Sequence, residues 1–266
     1  MQTLIPYLPN FLLIFCRITA FFVVAPVFST RGVPPTFKIG LSLFLTFLIL
    51  MAAGGVKEQA VVIDAAFIIA ILKEILVGLL LGFMAYIFFN AVQIAGSFID
   101  IQMGLGIANV IDPMSGIQSP IMGNFKFFIA VLLFLAMNGH HFLIDAIVRS
   151  YEWVPLDNNV FTRIATGEPS DFLIQAFVSM FGLALQMAAP LVVSLFLTDV
   201  GLGILSKTAP QFNIFVVGVP IKIIVGFLLL IVVIPGMLYL FQDLFRSMFE
   251  SMEQMSKLLG TVPKSS

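Results

Sequence analysis

Long apolar runs alternate with short polar or glycine-rich breaks along most of the chain. A helix that crosses a bilayer needs about 20 mainly apolar residues. Six stretches come near that length: Leu4–Phe28, Ile39–Val56, Ile75–Ala95, Phe127–Val148, Phe172–Thr198 and Ile214–Phe241. A further run, Ala60–Leu72, is short and carries Asp64, which predicts a re-entrant or interfacial piece. Past Phe241 the period changes. Phe241, Leu244, Phe245, Met248, Met252, Met255 and Leu259 recur at helical spacing, while Asp243, Arg246, Glu250, Glu253 and Lys257 take much of the remaining surface. That pattern predicts an amphipathic helix lying on the membrane or covering another subunit. Its mixed charge favours a protein partner over lipid. Gly260–Ser266 reads as a frayed tail.

Two stretches depart from this rhythm. Between Asp199 and Lys222 the chain reads DVGLGILSKTAPQFNIFVVGVPIK. Gly201, Gly203, Pro210, Gly218 and Pro220 are expected to interrupt helix there, and Ser206, Thr208, Gln211 and Asn213 to satisfy the freed backbone. Irregular backbone at membrane depth survives only where protein covers it or water fills it. The stretch therefore predicts packing within an assembly, beside a cavity or conduit. The second, Asp100–Phe125, reads DIQMGLGIANVIDPMSGIQSPIMGNF, with apolar side chains dispersed among glycines and prolines. Asp112 precedes Pro113, which favours an extended or turn conformation. Such a loop reads either as a plug, for which adaptable methionines are suited, or as a re-entrant loop packed permanently in place.

Composition places the chain in a membrane. Of its 266 residues, 60% are hydrophobic and 10% charged, and mean hydropathy is +1.11. Soluble domains carry about 25% charged residues, so lipid or partner subunits must cover much of this surface. The net charge of -1 gives no basis for binding nucleic acid. Cys16 is the single cysteine, which excludes an intrachain disulfide and a cysteine-rich metal site. Met1-Gln2-Thr3 lacks the basic start of a secretory signal, so the first apolar segment is expected to stay in the mature protein. Counting basic residues across six spans nominally puts both termini in the cytoplasm.

Charges inside apolar runs need partners, because a charge at the bilayer centre costs about 2.5–3.5 kcal/mol. Arg17 lies within the first run, Lys222 within the last, and Asp145 within the fourth. Glu74 or Asp145 could serve Arg17. Pairing that fixes assembly geometry is favoured over an ion path, because no run shows several aligned carboxylates. Gly78 and Gly82, continued by Ala91, Ala95 and Gly96, predict close helix packing. His140 and His141 are adjacent, so on a helix they point about 100° apart and cannot ligate one metal together. Asp145 could pair with His141 as a proton relay, but a polar helix break at Asn138-Gly139 is the preferred reading. No phosphate loop, HExxH motif or nucleophile elbow is present. The expectation is a non-enzyme without cofactor or metal. The rival class is a secondary transporter using broken helices, with an intramembrane enzyme a distant third.

Several of these residues, in this order and spacing, resemble the FliR family, the R-type subunits of the bacterial flagellar export gate. They are Arg17 with Ala25-Pro26-Val27-Phe28, Pro34, Lys38, Lys73-Glu74-Ile75, Gly78, Gly82, Gly96, Asp100, Gln102, Gly104 and Asp112-Pro113. Asn138-Gly139-His140, Ser150, Pro155, Asp199-Val200-Gly201-Leu202-Gly203, Ala209-Pro210-Gln211, Asn213, Phe215, Pro220 and Lys222 continue the likeness. It spans nearly the whole chain, and the wording around Asp199 and Val217 is closer to flagellar than to injectisome members.

The resemblance implies an all-α integral membrane fold of kinked helices and helical hairpins packed in a multi-subunit export gate. It implies a P-like part over about 1–200, then a Q-like hairpin over 201–259 whose turn region holds Gly201, Gly203, Pro210, Gln211 and Asn213. The implied partners are P-type and Q-type subunits, a B-type switch protein and an A-type export protein, with unfolded flagellar proteins in transit. The implied place is the bacterial inner membrane at the flagellar basal body. Segment 102–122 would plug the closed pore, with Gln102, Met103, Gly104, Gly106, Asp112, Pro113, Met114 and Gly116 as plug residues. Arg17, Glu74, Asp100, Asp145 and Lys222 would be buried assembly charges, and Gly78, Gly82 and Gly96 close-packing positions.

Overall fold

The computed structural model describes residues 8–30, 32–52, 65–106, 120–156, 160–209, 211 and 214–260. Among these residues there are eight helices and no strand. They are α1 (Leu8–Val24), α2 (Pro35–Ala52), α3 (Ala65–Met103), α4 (Ile121–Ala136), α5 (Gly139–Trp153), α6 (Val160–Ala165), α7 (Glu168–Thr208) and α8 (Ile214–Leu259). The chain is an all-α membrane protein.

Three of the helices are very long. At 1.5 Å per residue, the 39, 41 and 46 residues of α3, α7 and α8 run about 58, 62 and 69 Å. All three are long and apolar enough to cross a membrane. The pair α4 and α5, joined across a short break, makes a fourth candidate span. Asn138 sits at that break with φ 58°, in the left-handed region that asparagine tolerates better than most residues. The expected polar break at Asn138-Gly139 thus divides the fourth apolar run rather than ending it.

The expectation of six separate spans gives way in three places. The runs at Leu4–Phe28 and Ile39–Val56 fold into α1 and α2, of 17 and 18 residues. At about 26 Å, these fall short of the roughly 30 Å hydrocarbon core. Residues 65–72 are not a re-entrant piece but the first two turns of α3, and 60–64 lie outside the described residues. The expected interruption after Asp199 also shrinks. Gly201 and Gly203 are helical in α7, Gly218 and Pro220 are helical in α8, and both Pro190 and Pro235 are inside helices too. Membrane helices tolerate such residues because neighbouring groups re-satisfy the freed backbone. The hydroxyls turn back onto their own helix: Ser206 donates to the Gly203 carbonyl at 2.6 Å and Thr208 to that of Leu205 at 3.1 Å.

The helices pack as two compact units. One comprises Met1–Ile87, Asn138–Phe177 and Ser247–Ser266; the other comprises Phe88–Met137 and Val178–Arg246. In the first, Leu13, Ile18 and Phe21 of α1, Val77 and Leu81 of α3, and Leu143 and Ile147 of α5 are fully buried. So are Met248, Met252, Met255 and Leu259 of α8. The apolar stripe of the C-terminal amphipathic segment is therefore covered by its own chain, not by membrane or another subunit. Phe249 meets Phe142 of α5 at a ring separation of 5.5 Å, and the Lys257 ammonium lies 5.0 Å over the Trp153 ring. In the second unit, Phe89, Phe134 and Phe245 form an aromatic triangle with separations of 5.1, 5.1 and 5.6 Å. Edge-to-face pairs in such clusters add roughly 0.5–1.5 kcal/mol each beyond their burial.

Candidate functional site

The first unit holds a buried charge cluster. Arg17 grips Glu74 bidentately, with Nε to Oε2 at 2.6 Å and Nη2 to Oε1 at 3.1 Å. Its remaining donors reach the Ser150 hydroxyl at 3.1 Å and the Val154 carbonyl at 2.7 Å, and its guanidinium stacks 3.9 Å over the Tyr151 ring. Lys73 completes the group, 3.2 Å from Glu74 and bonded to the Leu156 carbonyl. One carboxylate thus meets two cations, and carbonyls just past the C-terminal end of α5 accept from both of them, as a helix C-terminus favours. Bidentate arginine suits this task because its fork matches a carboxylate. The cluster ties α1, α3 and α5 together. Beside it, a Cβ at Gly78 would overlap the Arg17 carbonyl, and one at Gly82 would lie 2.8 Å from that of Phe21. Helices α1 and α3 cross at backbone contact.

A second polar joint lies in the other unit. Helix α3 ends at Gly104, whose φ of 84° needs glycine. Leu105 N–H donates to the Asp100 carbonyl at 3.0 Å and Gly104 N–H to that of Ile101 at 3.1 Å, the paired bonds of a Schellman cap. The Asp100 side chain does different work. Helix α4 begins after Pro120, which provides no side-chain cap. Both Asp100 carboxylate oxygens instead accept the Met122 N–H at 3.1 Å. A carboxylate at a helix N-terminus meets the unpaired donors and the positive end of the dipole together. One turn back, a Cβ at Gly96 would overlap the Gly123 backbone, so α3 and α4 also touch there.

Two residues further on, Gln102 donates to Asp199 Oδ2 of α7 at 2.8 Å. The same carboxylate takes Lys222 of α8, Nζ to Oδ1 at 3.0 Å. Met103 is fully buried against α8, in a notch opened by Gly226, where a Cβ would come within 2.6 Å of the thioether methyl. The end of α3 is thus hydrogen-bonded to α4 and α7 and packed against α8.

The sequence matches the family described as bacterial export proteins, family 1, over residues 8–248. A relative in Bacillus subtilis, the flagellar biosynthetic protein FliR, is 43% identical over 98% of this chain and 99% of its own length. The chain belongs to this export family. The FliR of Escherichia coli is 33% identical over 88% of this chain and 87% of its own, and that of Aquifex aeolicus is 27% identical over 93% of each.

Within this export protein the expected site residues fall into distinct places. Arg17 and Glu74 meet each other, and Asp100, Gln102, Met103 and Gly104 gather at the second joint with Lys222. Gly106 is described, at the last turn before 107–119. Asp112, Pro113, Met114 and Gly116 lie outside the described residues, as do Pro210 and Asn213. Gln211 is an exposed turn residue between α7 and α8. Asp145 is not a buried charge. It is half exposed and pairs with Arg149 four residues on, at 2.7 Å, rather than with His141 or Arg17. That pairing was legible as an i,i+4 couple on one helix. His140 and His141 stack at 4.1 Å.

Sequence reasoning gave no site role to three members of these joints. Lys73 and Tyr151 join the Arg17 cluster, and Asp199 is the partner of Lys222. Apart from both joints, Lys126 is buried in α4 and donates to the Met187 carbonyl at 3.2 Å. A cavity of about 230 Å³ in the first unit is lined by Phe142, Asp145, Arg149, Trp153 and Glu253. Of its charges, Asp145 pairs with Arg149 and Glu253 with Lys257. Among the described residues, no group of three or more His, Cys, Asp or Glu is placed to hold a metal ion.

Proposed function

We propose that this chain is a core, non-enzymatic component of the flagellar type III protein export gate in the bacterial inner membrane. With P-type and Q-type subunits it forms the conduit through which unfolded flagellar proteins pass. Segment 102–122 acts as the plug, and residues 201–259 are the Q-like hairpin. A B-type switch protein docks on the assembled gate and an A-type protein sits beneath it; motive energy comes from these partners and the membrane potential. The observation that carries this reading is the full-length likeness to proteins named for flagellar biosynthesis. The polar joint where α3 ends and α4 begins supports the plug reading, since it ties the described residues on both sides of 107–119 to each other and to α7.

Two experiments test it. Purified from native membranes, the chain should bring down two small membrane proteins of the P and Q types. Recovery as a lone monomer that moves a solute in liposomes would replace the gate with a transporter. Cysteines introduced at Gly106 and Gly116 and oxidised to a disulfide should stop export while leaving the complex intact. Normal export with the bond formed would remove the plug role.

A further inference from the structure

We infer that the cavity between α5 and the end of α8 is a socket for one cationic side chain, a lysine or arginine, presented by a neighbouring protein of the export apparatus. It rests on the gate reading above, since a protein neighbour has to be there to supply the side chain.

The socket is built within the first unit. Helix α5 and the end of α8 run side by side in the same direction. Phe142 meets Phe249 at one end, and Trp153 meets Lys257 and Gly260 at the other. Glycine is needed for that last approach, because a Cβ at Gly260 would overlap the Trp153 carbonyl. Between these contacts the two helices border the cavity of about 230 Å³. That is below the roughly 300 Å³ at which small-molecule pockets begin, and it suits a single side chain. Phe142, Trp153 and Phe249 provide aromatic walls.

Charge decides the occupant. Asp145, Glu152 and Glu253 line the cavity against one cation, Arg149. Arg149 is engaged by Asp145 at 2.7 Å, and Glu253 takes Lys257 from outside the lining at 2.5 Å. Glu152 forms no ion pair among the described residues, so the lining keeps one unmatched carboxylate. Aromatic faces beside carboxylates attract ammonium and guanidinium groups. The Lys257 ammonium, 5.0 Å over the Trp153 ring, shows that this wall takes a cation. A lipid headgroup fits less well. Its ammonium comes with a phosphate that the carboxylates repel, and the cytoplasmic bilayer surface is itself negative. A protein side chain brings the cation alone.

Trp153 is the single tryptophan of the chain, so its fluorescence reads this cavity. The purified chain is titrated with N-acetyl-argininamide and with the neutral, similarly shaped N-acetyl-citrullinamide. The expected result is a saturable change with the first and none with the second, weakened about two- to fivefold by Glu152→Gln, the range for an exposed ion pair. No saturable change, an equal response to both probes, or unweakened binding by Glu152→Gln would overturn the inference. The gate reading would survive any of these as long as P- and Q-type subunits still co-purify. Deleting 261–266 should leave the titration unchanged. Tighter binding after the deletion would assign the socket to the chain's own Lys264 and not to a neighbour.

In native membranes, a photo-reactive amino acid in place of Ala146, which lines the same cavity, identifies the occupant. The expected adduct is a peptide of another export protein with a lysine or arginine at the cross-link. Glu152→Lys should cut its yield several-fold, and changing that basic residue to glutamate should restore it. An adduct to lipid or to a second copy of this chain, no adduct, or a yield indifferent to Glu152→Lys would each overturn the inference.

Discussion

At Glu74 one carboxylate answers two buried cations, so removing it and removing one of its partners have unequal consequences. Glu74→Gln takes from the buried Arg17 guanidinium the carboxylate that it grips with two hydrogen bonds. Breaking a buried pair in this way costs about 3–5 kcal/mol. Arg17→Met keeps most of the volume and leaves Glu74 with Lys73 at 3.2 Å. The expectation is that Glu74→Gln lowers the detergent melting temperature more than Arg17→Met does; equal losses would mean that Lys73 does not share the carboxylate. That Arg17 required a buried carboxylate is legible from a single arginine inside an apolar run. Which carboxylate is not legible, because Glu74 stands 57 residues away and only the crossing of α1 and α3 brings it near. The Asp100 cap is hidden for the same reason. Nothing local marks a carboxylate that serves the N-terminus of a helix 22 residues later.

Among the helical elements, glycines that look alike in sequence have opposite surroundings. At Gly78 an added methyl meets a backbone carbonyl that cannot yield, and overpacking of this kind costs about 1–3 kcal/mol. Gly201 and Gly203 face open space within 4 Å, so alanine there should stabilise α7 by about 0.5–1 kcal/mol each. Melting of the purified chain should therefore drop for Gly78→Ala and rise for Gly201→Ala/Gly203→Ala. A drop in both would show that α7 is not a free helix at those positions. If a P- or Q-type subunit covers that face, the α7 variant should also lose co-purified subunits despite its sturdier chain. Spacing marks Gly78 as a close-packing position, whereas Gly201 and Gly203 read as breakers because they stand among Pro210, Gly218 and Pro220. Helix identity was legible in the long apolar runs, which have few other solutions in lipid, but not in α6. Helix extent was not, because Pro190, Pro220 and Pro235 act as punctuation in soluble proteins but are absorbed here.

For the molecule as a whole, helix length and uncovered apolar surface point the same way. Helix α8 is about 69 Å long, more than twice the roughly 30 Å of hydrocarbon it could occupy upright, and tilts of up to about 40° do not close that gap. Yet its most apolar window has a hydropathy of 2.9 and is only 17% buried within the chain. Val232 is 74% exposed and Tyr239 73%. The stretch from Met248 to Leu259 is covered by its own chain, so lipid or other components of the export apparatus are left to cover the apolar part before it. A lysine at Val232 discriminates between covered and solvated surface. Facing lipid near the bilayer centre it would cost about 2.5–3.5 kcal/mol, and at a subunit contact it would place an unpaired charge in the interface. Either way, Val232→Lys should sharply reduce the P- and Q-type subunits recovered with the chain from membranes, while Glu250→Lys, on the polar side of the same helix, should not. Undiminished recovery of Val232→Lys complexes would mean that this face meets water, and that the length of α8 has some purpose other than packing among neighbouring subunits.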